Sequence, residues 1–262
     1  MCGIAGLHLK DHTYRERLGA MVAGMLRGVA RRGPDSAGVA IHDDVPDVPD
    51  VPDVPGVPGV PGVPGVPGQA VPGVPAAPGA GLTVFREVGD PEEFAARIGL
   101  AGRAGVRALA HTRMATESAV TAAHCHPFVA GEERLCLVHN GSFANHATIR
   151  RRLAGLGIIT ETDNDSEVAA HWLAARRAAG DDLTTALRRL TTTFDGFFTL
   201  AVTTADSFAV VRDPIACKPA IIAETDHWVA VVSEYQALLG LPGLADAVVF
   251  EPEPEEVYLW AS

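Results

Sequence analysis

Residues 45–81 cannot join a packed core, and this limits what the rest of the chain can build. They repeat in threes: three Val-Pro-Asp units, five Val-Pro-Gly units, then degenerate copies. Eleven of the 19 prolines lie there. Proline lacks the backbone donor and glycine raises the entropic cost of ordering, so neither a helix nor a strand ladder is expected. A polyproline II segment or an unordered surface loop is. Closure entropy grows only logarithmically with length, so such an insertion costs a fold little. The folded unit must therefore come from the two flanks. We expect one domain over residues 2–262, interrupted at 45–81, with the repeat at a hairpin tip between strands at 36–42 and 82–88.

The flanks carry enough apolar material for one sizeable core, since 47% of the 262 residues are hydrophobic. The formal net charge is −11 and no basic block occurs, which argues against nucleic acid or an anionic membrane surface as the main partner. No apolar stretch approaches the ~18 residues a spanning helix needs. The start, Met-Cys-Gly-Ile-Ala-Gly, runs straight into Lys10 and Asp11, unlike a secretory signal. A cytoplasmic location is expected. The cysteines, Cys2, Cys125, Cys136 and Cys217, contain no Cys-x-x-Cys pair and are expected to be reduced. The last three read as core fillers.

Strands are expected at 2–9, 106–112, 134–139, 196–204, 207–212, 220–224 and 228–233. Helices are expected at 14–31, 145–156, 166–179 and 181–190. In the first, Leu18, Met21, Val22, Met25, Leu26 and Val29 share one face. Strands in hairpins with helices in groups predict an antiparallel α+β sandwich and not a doubly wound parallel sheet.

Cys2 is the residue with the most chemistry. Initiator methionine is normally removed before a small residue, which would place a thiol and a free α-amine on one residue. The amine, with a pKa near ~8, can take the proton of a thiol near ~8.5. That would be an activated nucleophile that needs no histidine or aspartate; by position alone, Cys2 reads equally as a chance cysteine in a strand. Taken singly, other motifs have ordinary readings: Asn140-Gly141 as a hairpin turn, Arg113 as a surface arginine, Asp165 as the cap of a helix. His124-Cys125-His126 suggests a metal cluster, but adjacent side chains in an extended chain point apart, so a loop lining a pocket is favoured and no metal is expected. His111 and His139 read as buried hydrogen-bonding groups.

The ordered set is more specific than its parts. It comprises Cys2-Gly3-Ile4-Ala5-Gly6, Arg31-Arg32-Gly33-Pro34-Asp35-Ser36, His111-Thr112-Arg113-Met114-Ala115-Thr116, His124-Cys125-His126-Pro127-Phe128, His139-Asn140-Gly141 and Thr162-Asp163-Asn164-Asp165-Ser166-Glu167. It resembles the class II glutamine amidotransferases, which are N-terminal nucleophile hydrolases, over nearly the whole chain except the repeat. The resemblance implies a four-layer αββα sandwich of two antiparallel sheets. It implies that Cys2 attacks the glutamine side-chain amide and forms a γ-glutamyl thioester, with Asn140 and the Gly141 N–H as the oxyanion donors. Arg113 would clamp the substrate α-carboxylate and Asp165 its α-ammonium, with Thr116 assisting. Arg32 would orient the cysteine, and His126 would line the pocket. No cofactor is implied for this step. Met114 stands where the family often has tryptophan, and His126-Pro127-Phe128 where it has His-Pro-His, which implies different packing over glutamine.

The resemblance is strongest to stand-alone amidotransferase subunits of glutamate-synthase-like or N-methylglutamate-synthase-like complexes, which implies ammonia delivery to flavin-dependent synthase subunits. A free-standing amidohydrolase on another γ-glutamyl amide and a catalytically silent regulatory subunit are the alternatives.

Overall fold

The structure, a computed structural model, describes residues 2–43, 81–114 and 121–261. The Val-Pro repeat (apart from Gly81) and Thr116 lie outside the described residues. The expected α+β sandwich is what the chain forms. A seven-stranded sheet is built from β1 (Gly3–Leu9), β2 (Ser36–His42), β3 (Leu82–Val88), β4 (Arg107–Arg113), β9 (Ile221–Glu224), β10 (Trp228–Val232) and β11 (Val248–Phe250), in the order β11-β9-β10-β1-β4-β2-β3. A five-stranded sheet is built from β5 (Phe128–Ala130), β6 (Leu135–Phe143), β7 (Gly196–Thr203), β8 (Ser207–Arg212) and β12 (Val257–Ala261), in the order β12-β8-β7-β6-β5. Every strand pair in both sheets is antiparallel.

Helices cover both outer faces. The amphipathic stripe of α1 (Leu18–Val29) packs with Phe94 of α2 (Pro91–Arg97) on the seven-stranded sheet. The five-stranded sheet is covered by α3 (His146–Gly155), α4 (Asp165–Ala178) and α5 (Leu183–Thr193) through Ile149, Leu153, Val168, Leu173, Leu187 and Leu190. Between the sheets lies a third apolar layer that includes Ile4, Leu109, Val138, Phe208 and Val231. Period-two alternation accounts for the layering. In β1, Ala5, Leu7 and Leu9 face α1, while Ile4 faces the other sheet.

Local signals explain several boundaries. The expected long first helix is α1 flanked by 3₁₀ turns at Arg15–Arg17 and Ala30–Arg32. The segments β5, α2 and β11 were not anticipated. For α2 the signal was present: Asp90 Oδ1 accepts from Glu92 N and Glu93 N, both at 2.9 Å, and Pro91 follows the cap. The strand expected at 134–139 continues to Phe143, so Asn140-Gly141 lies within a strand and not in a turn after it. Cys217 corrects a second expectation. Cys125 and Cys136 are buried, but Cys217 is exposed, because the connection between β8 and β9 carries it outside both sheets.

β4 sets out the polar residues between the sheets. Its alternate residues Arg107, Leu109, His111 and Arg113 share one face, and register gives each its neighbours. Arg107 is flanked by His8 of β1 and His42 of β2. All three are buried. An Arg107 guanidinium N–H donates to Thr204 O at 3.3 Å and to Ala205 O at 2.6 Å, and His42 Nε2 meets Thr203 Oγ1 at 2.8 Å, so the cluster ties the two sheets together. His8 stacks on Phe208 at 6.1 Å.

Burial, reinforced by Arg107, pushes His8 from 6.5 down to about 4 and His42 down to about 3. The unfolded chain takes up these protons near 6.5 and the folded chain refuses them, so stability is lost as pH falls from 6.5 toward 4. Replacing His8 with phenylalanine, which keeps the stack, should make urea-derived stability fall less steeply across that window, by about 1.4 kcal/mol per pH unit. An unchanged slope would show that His8 does not refuse its proton.

Candidate active site

The other end of the inter-sheet layer gathers several of the residues singled out in the sequence. Gly3 pairs with Thr112, which places Cys2 at the head of β1 beside the end of β4. The Cys2 thiol approaches Met114 O at 3.9 Å. Arg32, from the turn after α1, donates from Nε to Cys2 O at 2.8 Å. Its other edge pairs with Glu234 at 2.8 Å. The arginine side chain is 10% exposed, so this pair braces a nearly buried guanidinium against the backbone of Cys2.

Asn140 reaches the same point from the second sheet. In β6, Cys136 and Val138 face the inter-sheet layer while Leu135 and Leu137 face α4, and Asn140 continues the inner row. Its Nδ2 donates to Cys2 O at 3.2 Å and to Ser233 Oγ at 3.1 Å. Its Oδ1 lies 3.0 Å from His111 Nε2. Ser233 Oγ also accepts from Ile4 N at 2.9 Å, and Ser233 N donates to Ile4 O at 3.0 Å.

Gly141 follows with φ +150°, a conformation that disfavours side chains. A Cβ here would lie 2.0 Å from Phe197 O and 2.7 Å from His139 Nε2, so only glycine lets β6 approach β7 at this point.

Arg113 ends β4, with its side chain on the face that His111 shares, and is 7% exposed. Asp165 opens α4. Its Oδ2 accepts from Phe143 N at 2.8 Å and its Oδ1 from Ser166 Oγ at 3.2 Å, which docks the helix start on β6 two residues past Gly141. Asn164, not Asp165, is the cap, accepting from Ser166 N at 2.9 Å. Ser166 Oγ in turn meets His139 Nδ1 at 2.9 Å. Burial lowers the His139 pKa, against the opposing pull of Asp165. Glu167 fixes the preceding loop: its carboxylate accepts from Glu161 N at 2.6 Å and from Thr162 N at 2.8 Å.

The consecutive residues 124–126 have three separate neighbourhoods. His124 bridges Thr121 Oγ1 at 2.8 Å and Asp163 at 3.2 Å. The Cys125 thiol meets Thr121 O at 3.2 Å. His126 is buried against His111, with ring centroids 4.1 Å apart. A side chain at position 38 would collide with His126 O at 2.0 Å, so Gly38 provides this seat beside His111.

Sequence reasoning assigned no role to Ser233, Glu234 or Glu167. Glu167 had a legible signal, two residues into a helix behind a Thr-Asp-Asn-Asp run. Ser233 and Glu234 had none, because only the β1–β10 pairing brings them to Cys2.

Comparison with known proteins decides the family. Residues 111–240 match the glutamine amidotransferase domain. The chain is 43% identical to the glutamine amidotransferase-like protein GlxB of Rhizobium meliloti (strain 1021), over 99% of this chain and 98% of that protein. The chain belongs to the class II glutamine amidotransferases. Its fold is that of the N-terminal nucleophile amidotransferases. Glutamine phosphoribosylpyrophosphate amidotransferase from B. subtilis superimposes with a TM-score of 0.73 at 21% identity, over 99% of this chain and 47% of that one. The glutamine–fructose-6-phosphate aminotransferase of Mycobacterium tuberculosis (strain CDC 1551 / Oshkosh) is 27% identical over 91% of this chain but only 33% of its own length. The amidotransferase assignment makes glutamine the substrate. Among the described residues, no helix is long and apolar enough to cross a membrane.

Proposed function

We propose that this amidotransferase hydrolyses the glutamine side-chain amide on Cys2 and passes the ammonia to a synthase on another chain. The observation that carries the reading is the position of the Asn140 amide, with Nδ2 3.2 Å from Cys2 O and Gly141 next in the strand. An amide from the second sheet thus stands beside Cys2 at the head of the first.

With Met1 removed, the Cys2 α-amine takes the thiol proton. The thiolate forms a C–S bond to the amide carbon, and the carbonyl electron pair moves onto oxygen. That oxyanion accepts from Asn140 Nδ2 and the Gly141 N–H, in place of the long Asn140 bond to Cys2 O. One such donor typically contributes about 2.7–4 kcal/mol to the transition state. The Cys2 ammonium then protonates the departing nitrogen, and the C–N bond breaks to leave ammonia and a γ-glutamyl thioester. Water, deprotonated by the amine, attacks the thioester carbon, the C–S bond breaks to release glutamate, and the ammonium returns its proton to the Cys2 thiolate. Arg113 binds the substrate carboxylate and Asp165 its ammonium, with Thr116 assisting and His126 packed behind the pocket wall. Arg32, braced by Glu234, holds the Cys2 backbone while the thiol reacts. No metal or cofactor is required for these steps.

We read the acceptor as a separate synthase subunit, of the flavin-dependent glutamate-synthase-like kind, in the cytoplasm, as the family resemblance implies. Coupled ammonia and glutamate assays on the purified chain test the first half. Arg113→Lys keeps the charge but loses the planar two-pronged match, so the glutamine KM should rise about 10- to 100-fold with a smaller change in kcat. A KM within twofold of the parent would remove Arg113 from the substrate site.

A further inference from the structure

We propose that His111 is a positioning residue: it fixes which way round the Asn140 amide stands, and His139 O fixes His111. The inference rests on the reading of Asn140 as an oxyanion donor. A side-chain amide has two orientations of nearly the same shape, and only one turns Nδ2 toward Cys2. The other would aim a carbonyl oxygen at the oxyanion.

The neighbours of Asn140 differ in how strongly they choose. Ser233 Oγ accepts from Ile4 N, and its hydroxyl can either accept from Nδ2 or donate to Oδ1. It therefore tolerates both orientations. Cys2 O favours Nδ2, but only at 3.2 Å, and it already accepts from Arg32 at 2.8 Å. His111 Nε2, 3.0 Å from Oδ1, makes the decisive contact.

A neutral imidazole alone could adapt to either orientation by moving its proton to the other nitrogen. Here it cannot. The same Nε2 lies 3.2 Å from His139 O, a backbone carbonyl that only accepts. An unprotonated Nε2 would set two lone pairs against each other. Nε2 therefore carries the proton, Oδ1 faces it, and Nδ2 is left pointing at Cys2. Burial pushes His111 down to about 3, so the ring stays neutral and only one of its nitrogens is protonated at working pH. The ring itself is wedged. Ile4 and Gly38 are its register neighbours, and the missing side chain at Gly38 admits His126 against it at 4.1 Å.

Two measurements test this. Long-range proton–nitrogen NMR on histidine-labelled protein reads the tautomer directly. The Nε2–H form is expected for His111 from pH 6 to 8, and the Nδ1–H form would overturn the inference whether or not any variant folds. In glutaminase kinetics, His111→Ala should lower kcat about 10- to 100-fold with the glutamine KM within about threefold, and His111→Gln, which restores an N–H, should recover most of it. In an Asn140→Ala background the same His111→Ala change should add less than about twofold, because its effect runs through Asn140. An equal loss in both backgrounds would overturn the positioning role alone. Full activity of Asn140→Ala itself would overturn the oxyanion assignment, and this inference with it.

Discussion

Cys2→Ala is expected to lower glutamine hydrolysis by at least about a thousandfold while leaving the melting temperature nearly unchanged. The thiol's polar contact is a 3.9 Å approach to Met114 O, so its loss takes little from the fold. Intact mass spectrometry is the companion measurement. The parent should have lost Met1 and should take up one equivalent of a glutamine-like electrophile such as diazo-oxo-norleucine, and Cys2→Ala should take up none. The other thiols make poor competitors for different reasons. Burial pushes Cys136 up to about 12 and raises Cys125, so neither offers thiolate. Cys217 is exposed but lies on the loop between β8 and β9. A stoichiometric adduct that persists in Cys2→Ala, mapped to Cys217, would remove Cys2 from the mechanism.

Gly141→Ala is expected to damage stability and catalysis together. The added Cβ would sit 2.0 Å from Phe197 O and 2.8 Å from Phe198 Cα. Both are backbone atoms of β7, which cannot rotate away as a flexible side chain could. The residue's φ of +150° adds strain of its own. Together these should cost about 2–4 kcal/mol, or a fall of about 5–15 °C in melting temperature for a chain of this size. Relief of the clash would push β6 from β7 at the residue after Asn140 and move both proposed oxyanion donors, so kcat should fall about 100-fold or more. Scanning calorimetry and steady-state assays on one preparation check both parts. A variant melting within about 1 °C of the parent at full activity would mean that the strand relaxes freely and that Gly141 is not fixed there by close approach.

Much of this site could be read in linear order. Arg113, Asn140-Gly141 and Asp165 have ordinary readings singly and take their expected roles only from the resemblance of the ordered set; they lie on β4, on β6 and at the start of α4. The apolar stripe of α1 followed from local patterning, although its ends did not, since the expected helix at 14–31 is capped by 3₁₀ turns at both ends. The misreadings were also local in origin. Asn-Gly is a strong turn signal, but here it lies inside β6, where pairing with β7 overrides turn preference. Cys217 sits among apolar letters, but its loop runs outside the sheets.

By itself the sequence determined the alternation and periodicity of the main elements, because these depend on neighbours a few residues apart; Cys2 as a candidate nucleophile came from the ordered motif set along the chain. Only the tertiary structure decided what surrounds Cys2. Glu234 meets Arg32 across 202 residues, and Ser233 meets Asn140 across 93. His111 meets Asn140 from a strand of the opposite sheet. These contacts depend on which strands pair, in what register, and which face each residue then presents. A one-residue slip in β4 would turn His111 and Arg113 toward α1 with the composition unchanged. Register is a property of the packed sandwich as a whole, and so it is in the packing that the orientation of one amide beside Cys2 is decided.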